Sequence, residues 1–452
     1  MVPADDSLIV ALATPPGRGA ISVVRLSGRR AIDVAAGLAG RTSYPARVAT
    51  LTRLELADGL SESAIVTAFP APHSYTGEDS AEISTHGSPV VVDAVLKACM
   101  EAGARVARPG EFTLRAYLNG RMDLLQAEAI SDLVAATTVA QARVASSHLE
   151  GTLSRAIVSM GDELAQLRAL LEASLDFPDE GFHFIEPAAL VARLSALEDT
   201  CTRLLGSADA GQRLHDGALA VIAGAPNAGK STMFNALLGR DRAIVTPVAG
   251  TTRDLLTEST SFGGVPVTLV DTAGIRDAGD AIEREGVNRA EQALVAADLV
   301  LLVIDAEARE AGWHDARRVW VSLDGRRCVC VINKADIAAA GVGQRPDWCP
   351  ADVLAVSAAT GDGMAALATR VADELGRTQW DGATLTRARH RSHVGECAAA
   401  LRRAAETAGT GASEEYVLAD LKDALTALEE LRGVESPEDV LQSIFATFCI
   451  GK

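Results

Sequence analysis

A chain of 452 residues is longer than one ordinary hydrophobic core organises, so about two to four domains are expected. Its 48% hydrophobic and 23% charged residues exclude a disordered or fibrous protein, and no apolar run approaches the ~20 residues that span a bilayer. A formal charge of -18 excludes a surface that binds nucleic acid throughout, because phosphate attraction needs basic patches; RNA contact must be local or carried by a partner.

In chain order, Asp5 and Asp6 stand where a secretory signal needs basic residues, so the apolar stretch Leu8 to Ala13 reads as a first strand. Residues 1–118 mix β-like runs (Ser22 to Leu26, Ala64 to Phe69) with turn chemistry such as Thr-Pro-Pro-Gly-Arg-Gly, which predicts a small α+β domain. From about Asp123 the period becomes helical. Leu164, Leu167, Leu171 and Leu175 form one apolar stripe in the segment 119–216, which the acidic, proline-containing run from Asp176 to Pro187 interrupts.

Between residues 217 and 378 the pattern changes again, to short apolar strands separated by helices: Ala218 to Ala223, Val265 to Val270, Leu299 to Ile304, Cys328 to Ile332 and Val353 to Val356. A hairpin of Leu255 to Phe262 and Val265 to Val270 turns at Gly263-Gly264. Helix returns over 379–452, with Leu418, Leu421, Leu425, Leu428 and Leu431 on one face. The expected architecture is multidomain α/β plus α, with the α/β domain inserted between two halves of a helical domain. Seven cysteines, at 99, 201, 328, 330, 349, 397 and 449, form no CxxC pair, which argues against a zinc site or disulfide framework and for a reducing cytoplasm.

The inserted segment carries the chemistry. Gly224-Ala225-Pro226-Asn227-Ala228-Gly229-Lys230-Ser231 fits GxxxxGK[ST], follows a predicted strand and opens a helix that continues through Thr232. Backbone N–H groups of such a loop wrap phosphates; Lys230 would bridge β- and γ-phosphate, and the Ser231 hydroxyl would bind Mg²⁺. Asp271-Thr272-Ala273-Gly274 ends the next long strand, where the acid holds the metal shell and the glycine N–H senses the γ-phosphate. Between them lies Thr246-Pro247-Val248-Ala249-Gly250-Thr251-Thr252; Thr252 is assigned to the magnesium shell in the triphosphate state.

Asn333-Lys334-Ala335-Asp336 supplies base choice. A carboxylate at Asp336 accepts from guanine N1–H and the 2-amino group, donors that adenine lacks in that geometry. Ser357-Ala358 would contact the guanine oxygen through backbone. The order and spacing of these motifs predict a GTP hydrolase. Ile275 stands where many GTPases carry a water-orienting glutamine, so another group must orient the water. Glu283 is a candidate carboxylate for that task, although read by itself the solvated helix charge is the favoured reading.

Beyond the GTPase motifs, the runs IVALATPPGRGAISVVRLSG, GEDSAEISTHGSP, ARPGEFTLRAYLNGRMDLLQAEAI and the terminal FCIGK resemble the signatures of the MnmE (TrmE) family, over about residue 8 to Lys452. The resemblance implies one step of wobble-uridine modification in certain tRNAs. With the FAD protein MnmG, an aminomethyl or carboxymethylaminomethyl group is installed at uridine carbon 5; a methylene-bearing tetrahydrofolate serves as one-carbon source, and the bound cofactor is a 5,10-methylene- or 5-formyl-tetrahydrofolate. It also implies an N-terminal folate-binding and dimerising domain, a discontinuous helical domain and an inserted Ras-like domain, in a cytoplasmic homodimer that joins MnmG in a heterotetramer.

By the same resemblance, potassium activates hydrolysis when two G domains meet. Asn227, Thr246, Val248 and Thr251 match the potassium ligands, and Glu283 matches the water-orienting acid. Folate contacts carry over to Arg25, Glu82, Arg121 and Lys452, and Cys449 matches the family's C-terminal cysteine, a possible functional thiol. Without the resemblance, each of those four charged residues reads as a surface charge and Cys449 as a small buried thiol. The chain departs from the family at Ser84-Thr85-His86-Gly87-Ser88, where a more glycine-rich HGG run is usual, and at Pro247, which fixes its own φ between two potassium ligands. A ribosome-assembly GTPase would share the nucleotide motifs but needs a basic RNA module, against which the acidic balance and the FCIGK end speak. A purely regulatory GTPase is the third reading.

Overall fold

The computed structural model describes residues 6–176, 185–239, 256–272, 292–308, 310–323, 325–337, 346–376, 382–411, 413–434 and 438–451. The chain divides into two compact units. One comprises Met1–Ser131, His148–Ala165 and Leu425–Lys452; the other comprises Asp132–Ser147 and Gln166–Ala424.

The first unit is built on a sheet of six strands: β1 Ile9–Leu12, β2 Gly19–Ser27, β3 Thr50–Glu55, β4 Ser61–Phe69, β5 Ser80–Gly87 and β6 Arg105–Val106. Their spatial order is β3-β4-β5-β2-β1-β6, antiparallel except for the parallel pair β1–β6. Alternation on β4 explains the layering. Glu62, Ala64, Val66 and Ala68 are buried while Ser63, Ile65 and Thr67 point the other way. Val92, Val95 and Cys99 of the helix Pro89–Glu101 pack in the same core as Ala64, Val66 and Ile83.

The run RPGEF begins the helix Glu111–Leu118 and closes an ionic network. Glu111 accepts from both Arg105, at 2.5 and 2.8 Å, and Arg115, at 3.1 Å, and its second oxygen also takes the Arg108 N–H at 2.8 Å. Arg115 reaches on to Glu78 at 3.0 Å. Burial raises the Glu111 carboxyl, but the hydrogen bonds from Arg105 and Arg108 and the charges of Arg105 and Arg115 outweigh it and hold the group below its ordinary value.

In the second unit the parallel strands β7 Ala218–Gly224, β9 Val265–Asp271, β10 Leu299–Asp305, β11 Cys328–Asn333 and β12 Leu354–Ala355 form one sheet with β8 Leu256–Phe262. The order is β12-β11-β10-β7-β9-β8, and β8 alone runs antiparallel, as the hairpin partner of β9. Every residue from Leu299 to Ile304 is buried, as expected of a strand covered on both faces. Each strand predicted in this segment is found; the one expected over Val353 to Val356 is reduced to Leu354–Ala355, and Leu255 lies outside the described residues.

Helices complete this unit. Pro187–Gly206 packs Leu190, Leu194, Leu197 and Cys201 inward, and Ala388–Gly409 contributes Val394, Cys397, Leu401 and Ala404. The thiols of Cys201 and Cys397 face each other at 3.9 Å. Asp132 joins three segments: it accepts from His215 Nε2 at 3.0 Å and from the guanidinium of Arg387, which also reaches Oδ2 through Nε at 3.4 Å. Thr138 donates its hydroxyl to the Gly264 carbonyl at 2.7 Å, tying a helical segment to the turn of the β8–β9 hairpin.

Candidate guanine-nucleotide site

All described parts of the site lie at the carboxyl ends of parallel strands, where α/β sheets leave a crevice. Strand β7 ends at Gly224, and the following loop turns through Asn227, whose φ is 63°, into the helix Lys230–Leu238. Gly229 caps that helix with φ 88°, and a Cβ there would lie 2.3 Å from Asn333 Nδ2. Only glycine permits this approach. Lys230 is buried and donates to the Ala225 carbonyl at 2.9 Å, so its ammonium lies across the mouth of the loop. Asn227, Ser231 and Thr232 are exposed.

Asp271, fully buried at the end of β9, accepts from the Ser231 hydroxyl at 2.7 Å. This pair of hard oxygen donors beside a phosphate-type loop is what a magnesium ion takes. Thr272 holds the turn by donating N–H (3.4 Å) and hydroxyl (2.8 Å) to the Ile222 carbonyl.

The base side is joined to the phosphate side by one amide. Asn333, at the end of β11, donates Nδ2 to the Ala228 carbonyl at 3.0 Å and accepts at Oδ1 from the Ala358 N–H at 3.0 Å. Three strand-end loops are thereby fixed relative to one another. Lys334 follows with φ 65°, and the Ala335 N–H donates to the Val356 carbonyl at 3.0 Å. Asp336 is then exposed, and no described residue bonds its carboxylate. Ser357 is buried and its hydroxyl accepts the Thr360 N–H at 3.1 Å, which shapes the loop around Ala358.

Of the sequence-derived site residues, Asn227, Ala228, Gly229, Lys230, Ser231, Thr232, Asp271, Thr272, Asn333, Lys334, Ala335, Asp336, Ser357 and Ala358 come together here. Thr246, Pro247, Val248, Ala249, Gly250, Thr251, Thr252, Ala273, Gly274, Ile275, Glu283 and Lys452 lie outside the described residues. The ion pair of Lys334 with Asp305 at 2.6 Å was not anticipated from the motifs. Its signal in the sequence is an acid closing an otherwise apolar strand.

The predicted folate residues fall in the first unit. Arg25 and Glu82 are cross-strand partners on β2 and β5 and form an ion pair, at 3.0 Å from Nε and 2.8 Å from Nη2. Arg25 also lies over the rings of Tyr75, at 5.3 Å, and Phe112, at 5.8 Å, and reaches the Gly451 carbonyl at 3.4 Å. Tyr75 and Phe112 were not singled out from sequence. Gly451 fits because its Cβ position is filled: an added atom would stand 2.2 Å from the Leu12 carbonyl. Cys449 and Arg121 are exposed.

Comparison with known proteins follows from these two halves. A model described as the GTP-binding protein TrmE N-terminus matches residues 8–121, and one described as the MnmE helical domain matches residues 124–449. The chain belongs to the MnmE family. Curated relatives, each called tRNA modification GTPase MnmE, match it from end to end. That of Koribacter versatilis (strain Ellin345) is 41% identical over 458 residues, covering 99% of both chains. That of Stutzerimonas stutzeri (strain A1501) is 40% identical over 459 residues and covers 100% of both. That of Xanthomonas campestris pv. campestris (strain B100) is 43% identical over 462 residues, covering 99% of this chain and 100% of the relative. No helix among the described residues is long and apolar enough to cross a membrane.

Proposed function

We propose that the protein is a GTP hydrolase acting in tRNA modification, as its MnmE relatives are named. The observation that carries this reading is the convergence of Lys230, the Ser231–Asp271 pair and the Asn333 bridge, with Asp336 exposed beside them. Ser231 and Thr252 would hold magnesium, with Asp271 behind them. Such an ion would supply positive charge to the phosphates. Lys230 moves from the Ala225 carbonyl to the phosphates, and Asp336 accepts the two guanine donors.

The finer steps follow the family resemblance. Asn227, Thr246, Val248 and Thr251 would hold a potassium ion, which would supply the positive charge that other GTPases take from an arginine. Glu283 would orient the attacking water in place of the absent glutamine. Domain limits of 1–118, 119–216, 217–378 and 379–452 are proposed with it; the helical-domain match over residues 124–449, which spans the second sheet, supports an insertion. In the N-terminal domain, Arg25, Glu82, Arg121 and Lys452 would contact a tetrahydrofolate, with Cys449 a functional thiol close by in sequence. A homodimer acting with MnmG in the cytoplasm would then modify carbon 5 of the tRNA wobble uridine.

The deciding experiment is mass spectrometry of wobble uridines from a deletion strain, paired with GTP turnover in KCl and in NaCl. Loss of the carbon-5 substituent and faster turnover in KCl are expected. Unchanged uridines would leave a GTPase of another purpose, and equal turnover in both salts would remove the potassium step. Co-purification with ribosomal subunits rather than with an FAD protein would favour the assembly-factor reading.

A further inference from the structure

Asp305 closes β10, and the parallel register sets it beside Asn333. Its two carboxylate oxygens have separate tasks. Oδ1 accepts the Glu307 N–H at 2.9 Å, while Oδ2 lies 2.6 Å from the ammonium of Lys334. The Ala306 N–H donates to the Asn333 carbonyl at 2.9 Å, so backbone bonds fix the acid from both sides of the strand pair. The pair is partly shielded, with 18% of the Asp305 and 30% of the Lys334 side chain exposed.

Lys334 is otherwise hard to account for. It sits at φ 65°, a left-handed conformation that is costly for a residue with a long side chain, between an asparagine that ties loops together and the exposed Asp336. A lysine is flexible, and ordering it against a ligand opposes binding. An acid that holds its ammonium before the ligand arrives removes most of that cost.

We propose that Asp305 is a positioning residue for the guanine base: it holds the Lys334 ammonium so that the methylene stem forms one flat wall of the pocket whose edge Asp336 reads. The inference rests on the guanine assignment and deepens it. The Asp305 carboxylate bonds Glu307 and Lys334 and none of Lys230, Ser231 and Asp271, so its effect is expected on nucleotide affinity and not on the chemical step.

Asp305→Asn keeps an acceptor for the Glu307 N–H and removes only the charge. In the full-length protein it is expected to raise the Kd for GDP and for a non-hydrolysable GTP analogue alike, roughly tenfold. The kcat at saturating GTP should stay within roughly twofold, which separates positioning from catalysis. Lys334→Met keeps the stem without the ammonium; adding Asp305→Asn to it should change Kd by less than about twofold, because the bond being removed is already gone. An unchanged Kd in Asp305→Asn, or an equal loss in both backgrounds, overturns the proposal. Wild-type affinity for ATP equal to that for GTP would instead sink the guanine assignment itself, whatever Asp305 does.

Discussion

The nucleotide site of the second unit and the sheet domain of the first hold their charged residues by opposite strategies. In the second unit the nucleotide loops are short, glycine-bearing segments at strand ends, and their functional groups are joined by a few bonds: Ser231 to Asp271, Asn333 to Ala228 and Ala358. In the first unit charges neutralise one another in networks. Glu111 is shared by Arg105 and Arg115, and Arg25 is held by Glu82, Tyr75 and Phe112. A strand-end site leaves groups such as Asp336 open for a ligand. A network uses its hydrogen-bonding capacity internally, and a ligand that enters it must replace partners. Variants of the nucleotide site should therefore change turnover with little change in stability, and variants of the Glu111 network should do the reverse.

The largest effect is expected at Lys230. Lys230→Ala removes the only side-chain cation the P-loop presents and should lower kcat/KM for GTP by about 10²- to 10³-fold, while the thermal unfolding midpoint of the nucleotide-free protein moves little. A steady-state phosphate-release assay checks this. Turnover within a few fold of wild type would break the contrast at its strongest point.

Asp336→Asn is expected to be next. The amide offers a donor where guanine N1–H and the 2-amino group need acceptors, so GTP affinity should fall about 100-fold. Xanthosine triphosphate, whose carbon-2 oxygen accepts from that amide, should bind better than GTP in the variant. Competition binding with both nucleotides reads the exchange, and an unaltered preference for GTP would show that the exposed carboxylate does not face the base.

The first-unit counterpart is Glu111→Gln. It removes one of the two carboxylates that hold the buried Arg115, leaving Glu78, and should destabilise by roughly 1–2 kcal/mol, since Arg105 is also partly open to solvent. GTP turnover should be retained. Because the folded protein holds the Glu111 carboxyl below its ordinary value, its contribution is present above a pH of about 4.3 and is lost as pH falls through the folded value. Urea melts of wild type and variant should therefore converge in acid. Curves that stay parallel would mean that Glu111 acts through packing instead.

The contrast also explains what the sequence could reveal. Strands such as Leu299–Asp305 and the nucleotide motifs are local patterns, with each functional residue within a few positions of a glycine or an apolar run. The P-loop, Asp271 and Asn333 were legible for that reason. Arg25 and Glu82 are 57 positions apart, and Asp132 and Arg387 are 255 apart. No spacing rule connects such residues; only the sheet register or helix packing brings them together. Asp305 is intermediate. Its place at the end of a strand was visible, but its partner depends on the neighbouring strand being parallel and in register. Tyr75 and Phe112 were missed because single aromatics read as core.

The smallest expected effect comes from a network inside the second unit, which shows that the two strategies are not confined to separate units. The hydrogen bond that His215 donates to Asp132 raises the imidazole above its ordinary value against the opposing effect of burial, and the Asp216 carboxylate adds to the rise. Burial raises the Asp132 carboxyl, but His215 and Arg387 together bring it below its ordinary value. The signs then differ. The histidine contribution is complete below a pH of about 6.5 and disappears as pH rises through the folded value; the aspartate contribution is complete above about 3.9 and disappears as pH falls through its folded value. The joint among residues 132, 215 and 387 should be strongest between those limits. On going from pH 6 to pH 9 it should weaken by no more than about 1 kcal/mol, a few degrees in Tm. His215→Gln should flatten that alkaline arm and leave the acid arm in place. If the wild-type melting temperature is level over that range, or falls equally in His215→Gln, the imidazole is not charged at this joint, and Arg387 alone balances Asp132.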